Sequence, residues 1–152
     1  MLSDYMRPLR IWVPTNRVDH HGKYTHMDGW NEILAAFKCS CYTGNALIQE
    51  NVHHVALWSK IAMRQQGWPR MEQGLCLPCR ISLTFVERDR RRDKPNVYGG
   101  AKYAIDALTS RHKGGAGAIY DDSQKWLTDV RYGIAFVGDE FVEPGLQILI
   151  ET

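Results

Sequence analysis

Long apolar runs are missing from this 152-residue chain. The longest, HVALW and LQILI, fall far short of the roughly 20 apolar residues that a membrane-spanning helix needs. The first residues, MLSDYMRPLRIWVP, lack a basic start followed by an apolar core, so no secretory leader is expected and the cytoplasm is the default compartment. Cysteine is scarce: four residues in two close pairs, CSC (Cys39, Cys41) and CLPC (Cys76, Cys79). Without a secretory route these do not suggest a disulfide framework. No repeat and no low-complexity tract is visible, which argues against a solenoid or a long linker. The length suits one domain, 1–152, with one hydrophobic core.

What is present is an uneven charge. The formal net charge is only +2, yet residues 1–113 hold 17 Lys and Arg against 10 Asp and Glu, whereas residues 114–152 hold 2 against 7. Such separation suits a basic face for a polyanion with carboxylates gathered elsewhere; chance segregation is the competing reading. The densest stretch, ERDRRRDKPNVYGGAK, sets Arg88, Arg90, Arg91, Arg92, Lys94 and Lys102 around Glu87, Asp89 and Asp93. The cysteine pairs could supply four thiolates to a structural zinc ion at Cys39, Cys41, Cys76 and Cys79. Cys79 also opens an alternating strand, where a small core residue is the alternative.

Hydrophobic periodicity predicts an α+β order, a small mixed sheet packed with helices. LRIWVP reads as a strand closed by Pro14, followed by a polar loop whose His20, His21 and His26 are spaced too irregularly to favour a metal site. WNEILAAF is helical, with Trp30, Ile33, Leu34 and Phe37 on one side. NALIQENVHHVALWSKIAMRQQG is the longest helical pattern, expected to be broken early and to end near Gly67. CRISLTFVER alternates as a half-buried strand, and GGAKYAIDALTS is helical with Lys102 and Asp106 on one face. RYGIAFV and LQILIE read as strands joined by the turn-like GDEFVEPG.

An aspartate between a strand and a helix is held at a sheet edge, and a carboxylate pair beyond that helix can return to the same edge. Asp93 and the pair Asp121–Asp122 fit this description. Converging carboxylates bind Mg²⁺, which can activate water and stabilise the departing oxygen in phosphodiester cleavage. Adjacent arginines and lysines bring the anionic backbone to the metal. The competing reading makes these aspartates helix or turn caps.

RRRDKPNVYGGAKYAIDAL, followed by GAIYDDSQKWL and the closing PGLQILIE, resembles the RusA family of Holliday-junction resolvases of phages and prophages. The resemblance covers roughly residues 79–152 and extends weakly to the first strand and NRVDHHGKY. It implies a Mg²⁺-dependent endodeoxyribonuclease, working as a homodimer on branched DNA such as a four-way junction, in the cytoplasm of a bacterial or phage-infected cell. By position it implies metal ligation by Asp93, Asp121 and Asp122, with Asp122 the more essential of the pair. It makes Lys102 the catalytic lysine, Asp106 the helix acid, and Asn96 the asparagine of the acidic motif. Arg90, Arg91, Arg92 and Lys94 would hold DNA backbone, with Asn96 beside them. Pro95 stands where the family usually has a second aspartate, and proline offers no ligand. Either Asp121 or another acid substitutes, or activity is weak or lost. A DNA-binding protein with decayed catalysis and a zinc-clipped interaction module therefore stay open beside the nuclease.

Overall fold

The computed structural model describes residues 6–152; residues 1–5, which begin the stretch in which no leader is expected, lie outside them. The first strand, β1 (Leu9–Pro14), alternates buried Leu9, Ile11 and Val13 with outward Arg10 and Trp12, and ends at the expected proline. Helix α1 (Trp30–Cys39) starts where the Gly29 amide donates to the Glu32 carboxylate at 2.9 Å, one half of a capping box. Ser40 ends α1 and begins α2 (Cys41–Gln66): its extended backbone breaks the helix, while its hydroxyl accepts the Thr43 amide at 3.0 Å. The break expected early in NALIQENVHHVALWSKIAMRQQG is not there: the chain breaks at Ser40, before that stretch begins, and α2 continues unbroken to its end. Gly67 closes it in the left-handed region (φ 69°), a conformation that costs glycine little.

The sheet is completed by β2 (Cys79–Glu87), β3 (Leu127–Phe136) and β4 (Gly145–Glu151), with the short α3 (Lys94–Tyr98) and α4 (Ala101–Leu108) between β2 and β3. Strand order is β1-β4-β2-β3. β4 runs antiparallel to both neighbours, and β3 is parallel to β2. A parallel pair needs a crossover, and residues 88–126 supply it. Consecutive strands β3 and β4 are thus not partners: β2 lies between them, and β3 is left as an edge.

One face of the sheet is the core. Ile81, Leu83 and Phe85 of β2 join Leu146, Ile148 and Ile150 of β4 and the β1 set, all essentially inaccessible. Against them pack the buried stripe of α2, including Val52, Val55 and Ala56, and the buried side of α4, including Tyr103, Ala104 and Leu108. Period-2 strands facing period-3.6 helices give the α+β fold that the sequence predicts. Of the α1 stripe only Ile33 is buried, whereas Trp30, Leu34 and Phe37 remain substantially exposed. Among the described residues no helix is long and apolar enough to cross a membrane.

Candidate functional site

The crossover between β2 and β3 carries every residue of the expected catalytic set. Asp93 is the N-cap residue of α3, with extended backbone (φ −73°, ψ 152°), yet its carboxylate makes no capping hydrogen bond. It is exposed, and among the described residues no ion pair engages it. Pro95 lies in the first turn of α3, where a missing N–H costs nothing because that group would be unpaired anyway. The residue that removes an expected ligand is therefore a helix starter here.

Lys102 occupies the first turn of α4. Its ammonium donates to Asp106 at 2.7 Å, one helical turn on, and to Asp122 at 3.3 Å across the link that follows. That link is a reversal rich in glycine. The Ala116 amide donates to the Ala107 carbonyl at 2.7 Å and the Ile119 amide to Leu108 at 3.1 Å, so the chain leaves the end of α4 and returns beside it. A side chain at Gly115 would collide with the Thr109 carbonyl, which requires glycine there. From Ile119, bridged to Thr109 just past the end of α4, three residues lead on to Asp122. This is how Asp122, twenty residues away in sequence, reaches the lysine.

The two carboxylates hold the Lys102 pKa above its ordinary value, the bond to Asp106 contributing most, so the ammonium stays charged. Asp121 is tied locally: its Oδ1 accepts the Asp122 amide at 3.0 Å, a turn bond of the capping kind. The structure thus brings together Lys102, Asp106 and Asp122 through hydrogen bonds in which Asp93, at the head of α3, takes no part. Among the described residues no three His, Cys, Asp or Glu side chains form a group able to hold a metal ion. This differs from the three-carboxylate set expected at Asp93, Asp121 and Asp122. It also leaves the expected zinc clip without a four-thiol group. Cys39 and Cys41 are exposed on either side of Ser40, Cys76 is half-buried, and Cys79 is buried at the start of β2. Burial pushes the Cys79 thiol up to about 11, and the thiol donates to the Leu77 carbonyl at 3.3 Å, as a core residue would.

The arginine run divides. Arg91 is almost fully solvated, 3.5 Å from Asp89, and Lys94 is also exposed. Arg90 is exposed too, with its guanidinium 4.2 Å above the Phe136 ring. Arg92 turns inward, its side chain 13% exposed, and donates to Glu87 at 2.7 Å and to the Met27 carbonyl at 3.1 Å, with Glu32 at 3.4 Å. It is a structural tie and not a free hand for phosphate. Asn96 is likewise buried: its Oδ1 accepts the Asn31 amide of α1 at 2.8 Å and joins α1 to α3.

Two polar features escape a reading by pattern. Glu87 ends β2 on the buried face, in phase with Ile81, Leu83 and Phe85 where an apolar residue is expected, and its burial raises its pKa despite the opposing pull of Arg92. Asp28, also buried, accepts from Arg17 at 2.7 Å and from Asn51 at 2.8 Å, while its carbonyl receives the Tyr103 hydroxyl at 2.6 Å. This network fastens the loop before α1 to α2 and α4. A signal for it did exist, the acid directly before Gly29-Trp30 in the stretch after NRVDHHGKY. Compared with known proteins, the chain matches no family model, and no curated protein is significantly similar to it.

Proposed function

We propose that the chain is a Mg²⁺-dependent, structure-selective endodeoxyribonuclease that resolves Holliday junctions or other branched DNA during phage or prophage recombination and replication. The observation that carries this reading is the union of the two separated motif pieces, Lys102–Asp106 and Asp122, at 2.7 and 3.3 Å. An Asp122 that served only its own turn would have no reason to meet the ammonium that Asp106 holds on α4. The Asp93 carboxylate, free of a capping role, adds a hard oxygen donor on the same crossover.

The donor chemistry suits Mg²⁺, which needs only one or two protein carboxylates together with substrate phosphate and water. Asp93 and Asp122 would hold it, with Asp121 assisting from its turn. When bound, such an ion would polarise the phosphate and help activate a water for attack. Lys102 stays protonated and offers charge to the phosphate as negative charge develops. Asp106, largely sheltered on α4, aims that ammonium along the helix face. Arg90, Arg91 and Lys94 grip backbone without reading sequence. A homodimer supplies paired cuts on a two-fold junction.

A second reading has its own observation. Lys102 already neutralises Asp122, and among the described residues no three donors are gathered, as a DNA-binding protein with lost catalysis would allow. Incubating a labelled four-way junction with Mg²⁺, against an EDTA control, separates the two. Paired nicks only with Mg²⁺ support the nuclease. Retained binding with no cleavage across Mg²⁺ concentrations supports the second.

A further inference from the structure

Between α3 and the edge strand β3 lies a cleft of about 400 Å³, lined by Arg90, Asp93, Lys94, Tyr98, Ile134 and Phe136. Its floor carries Glu87, already matched by Arg92 at 2.7 Å, so this buried carboxylate does not repel an anion as a bare one would. What remains is an apolar, aromatic wall with Arg90, Lys94 and the Asp93 carboxylate around it, a net positive charge. Tyr98 is held between Phe85 and Tyr132, with ring centroids 6.1 and 5.6 Å away, which fixes its orientation. The Phe136 face is covered by a planar cation, the Arg90 guanidinium, at 4.2 Å.

We infer that this cleft seats one unstacked nucleotide. The base would lie on Phe136, where Arg90 now stacks, against Ile134 and Tyr98, while Arg90 and Lys94 hold its phosphates. Every base has a π-face, so such a platform accepts any of them. The guanidinium is itself a flat group on a ring, and Arg90 is exposed and free to swing outward to phosphate. The volume admits one base and its sugar. Faces of bases within a duplex are hidden by their neighbours, so only an unpaired or unstacked nucleotide can enter. The seat therefore selects branched over continuous duplex DNA. Because Asp93 lines the same cleft, a seated base places its own phosphate beside a carboxylate of the candidate centre. The inference rests on the branched-DNA reading and adds the means of selection to it.

The test uses a three-nucleotide strand with 2-aminopurine in the middle and abasic sugars at both ends, titrated without Mg²⁺. In parallel, anisotropy follows a labelled four-way junction. The wild type should quench the base saturably, and Phe136→Leu should weaken that binding by roughly five- to a hundredfold, the range for loss of one base–aromatic stack. Arg90→Gln should also weaken it but keep the quenching at saturation, since the ring is bare and the stack survives. Arg131→Gln, which removes an exposed charge outside the cleft, should change neither. Junction binding without any quenching of the strand would overturn the seat and leave the DNA-binding reading standing. Binding of neither probe would overturn both. Equal losses in Phe136→Leu and Arg131→Gln would also overturn the seat, because the ring would then have no particular part in it.

Discussion

Arg91 and Arg92 are neighbours of one type, yet their replacement by methionine should have opposite consequences. Arg92 is the shared partner of Glu87 and Glu32 in an interior where Glu87 is 5% exposed. Removing one member of a buried pair typically costs about 3–5 kcal/mol, because a charge is left without a partner. Methionine retains most of the volume, and Glu32 is partly solvated, so about 3 kcal/mol is expected for Arg92→Met. Arg91→Met should stay within about 0.5 kcal/mol, as for other surface changes. With a urea slope near 2 kcal/mol per molar, the Arg92 variant should lose about 1.5 M in midpoint, readable by tryptophan fluorescence. The pH dependence has a definite sign. Burial already raises the Glu87 pKa above its ordinary 4.5, so the native state binds the proton more tightly than the unfolded chain. The contribution of Glu87 is therefore most favourable below about pH 4.5 and is lost as pH rises through the raised folded value. Without Arg92 that value rises further, so the deficit of Arg92→Met should shrink on acidification toward pH 5. A deficit below 0.5 kcal/mol, or one that grows on acidification, would refute the reasoning.

On the proposed reading, Asp122→Asn should abolish junction cleavage while leaving junction binding equal or tighter, since it would remove a proposed metal-binding carboxylate and spare the exposed cations; unfolding by circular dichroism would return Asp122 to a structural role. Replacing Arg90, Arg91 and Lys94 together should lower the slope of log affinity against log salt by up to about 3, near 0.9 per phosphate contact, for every DNA sequence alike. An unchanged slope would place the loop away from DNA. Gly115→Ala should destabilise the fold and weaken the Lys102–Asp122 approach, because its Cβ meets the Thr109 carbonyl, and thermal melting with the cleavage assay would show both losses. Pro95→Asp should be tolerated, since an acid suits a first helical turn, and should raise cleavage at limiting Mg²⁺ by adding an anionic ligand; inactivity of both forms at every Mg²⁺ concentration would reject a merely weakened nuclease.

How far the sequence discloses this molecule depends on the range of the interactions concerned. Strands β1, β2 and β4 and the three longer helices are legible because each carries its own period, and a local pattern needs no partner to be read. Strand order is not local. PGLQILIE follows RYGIAFV across a turn-like segment, which invites a hairpin, yet β4 inserts between β1 and β2. The deciding term is burial on both flanks. Leu146, Ile148 and Ile150 are fully buried in β4, whereas β3 presents Arg131 and Tyr132 to solvent and suits an edge. Only the pattern of a strand relative to the others ranks it as central.

The candidate site shows the same division. Lys102 with Asp106 could be read from spacing alone, because four residues on a helix share a face. The approach of Asp122 needed two things that spacing does not contain: a glycine reversal after α4, and the pairing of Ile119 with the end of that helix. The arginine run was the least legible part. Four basic residues among five positions have no intrinsic inside or outside once strand periodicity stops at Glu87. What assigns Arg92 inward is a need elsewhere, the unpaired charge of a buried Glu87, and an arginine five residues on can swing back to meet it. An acid at Glu87, in phase with buried Ile81, Leu83 and Phe85, is the signal that such a need exists. It follows that in this crossover the buried acid selects which cation becomes structure, and the cations it leaves exposed, Arg90, Arg91 and Lys94, are those with charge to spare for a polyanion.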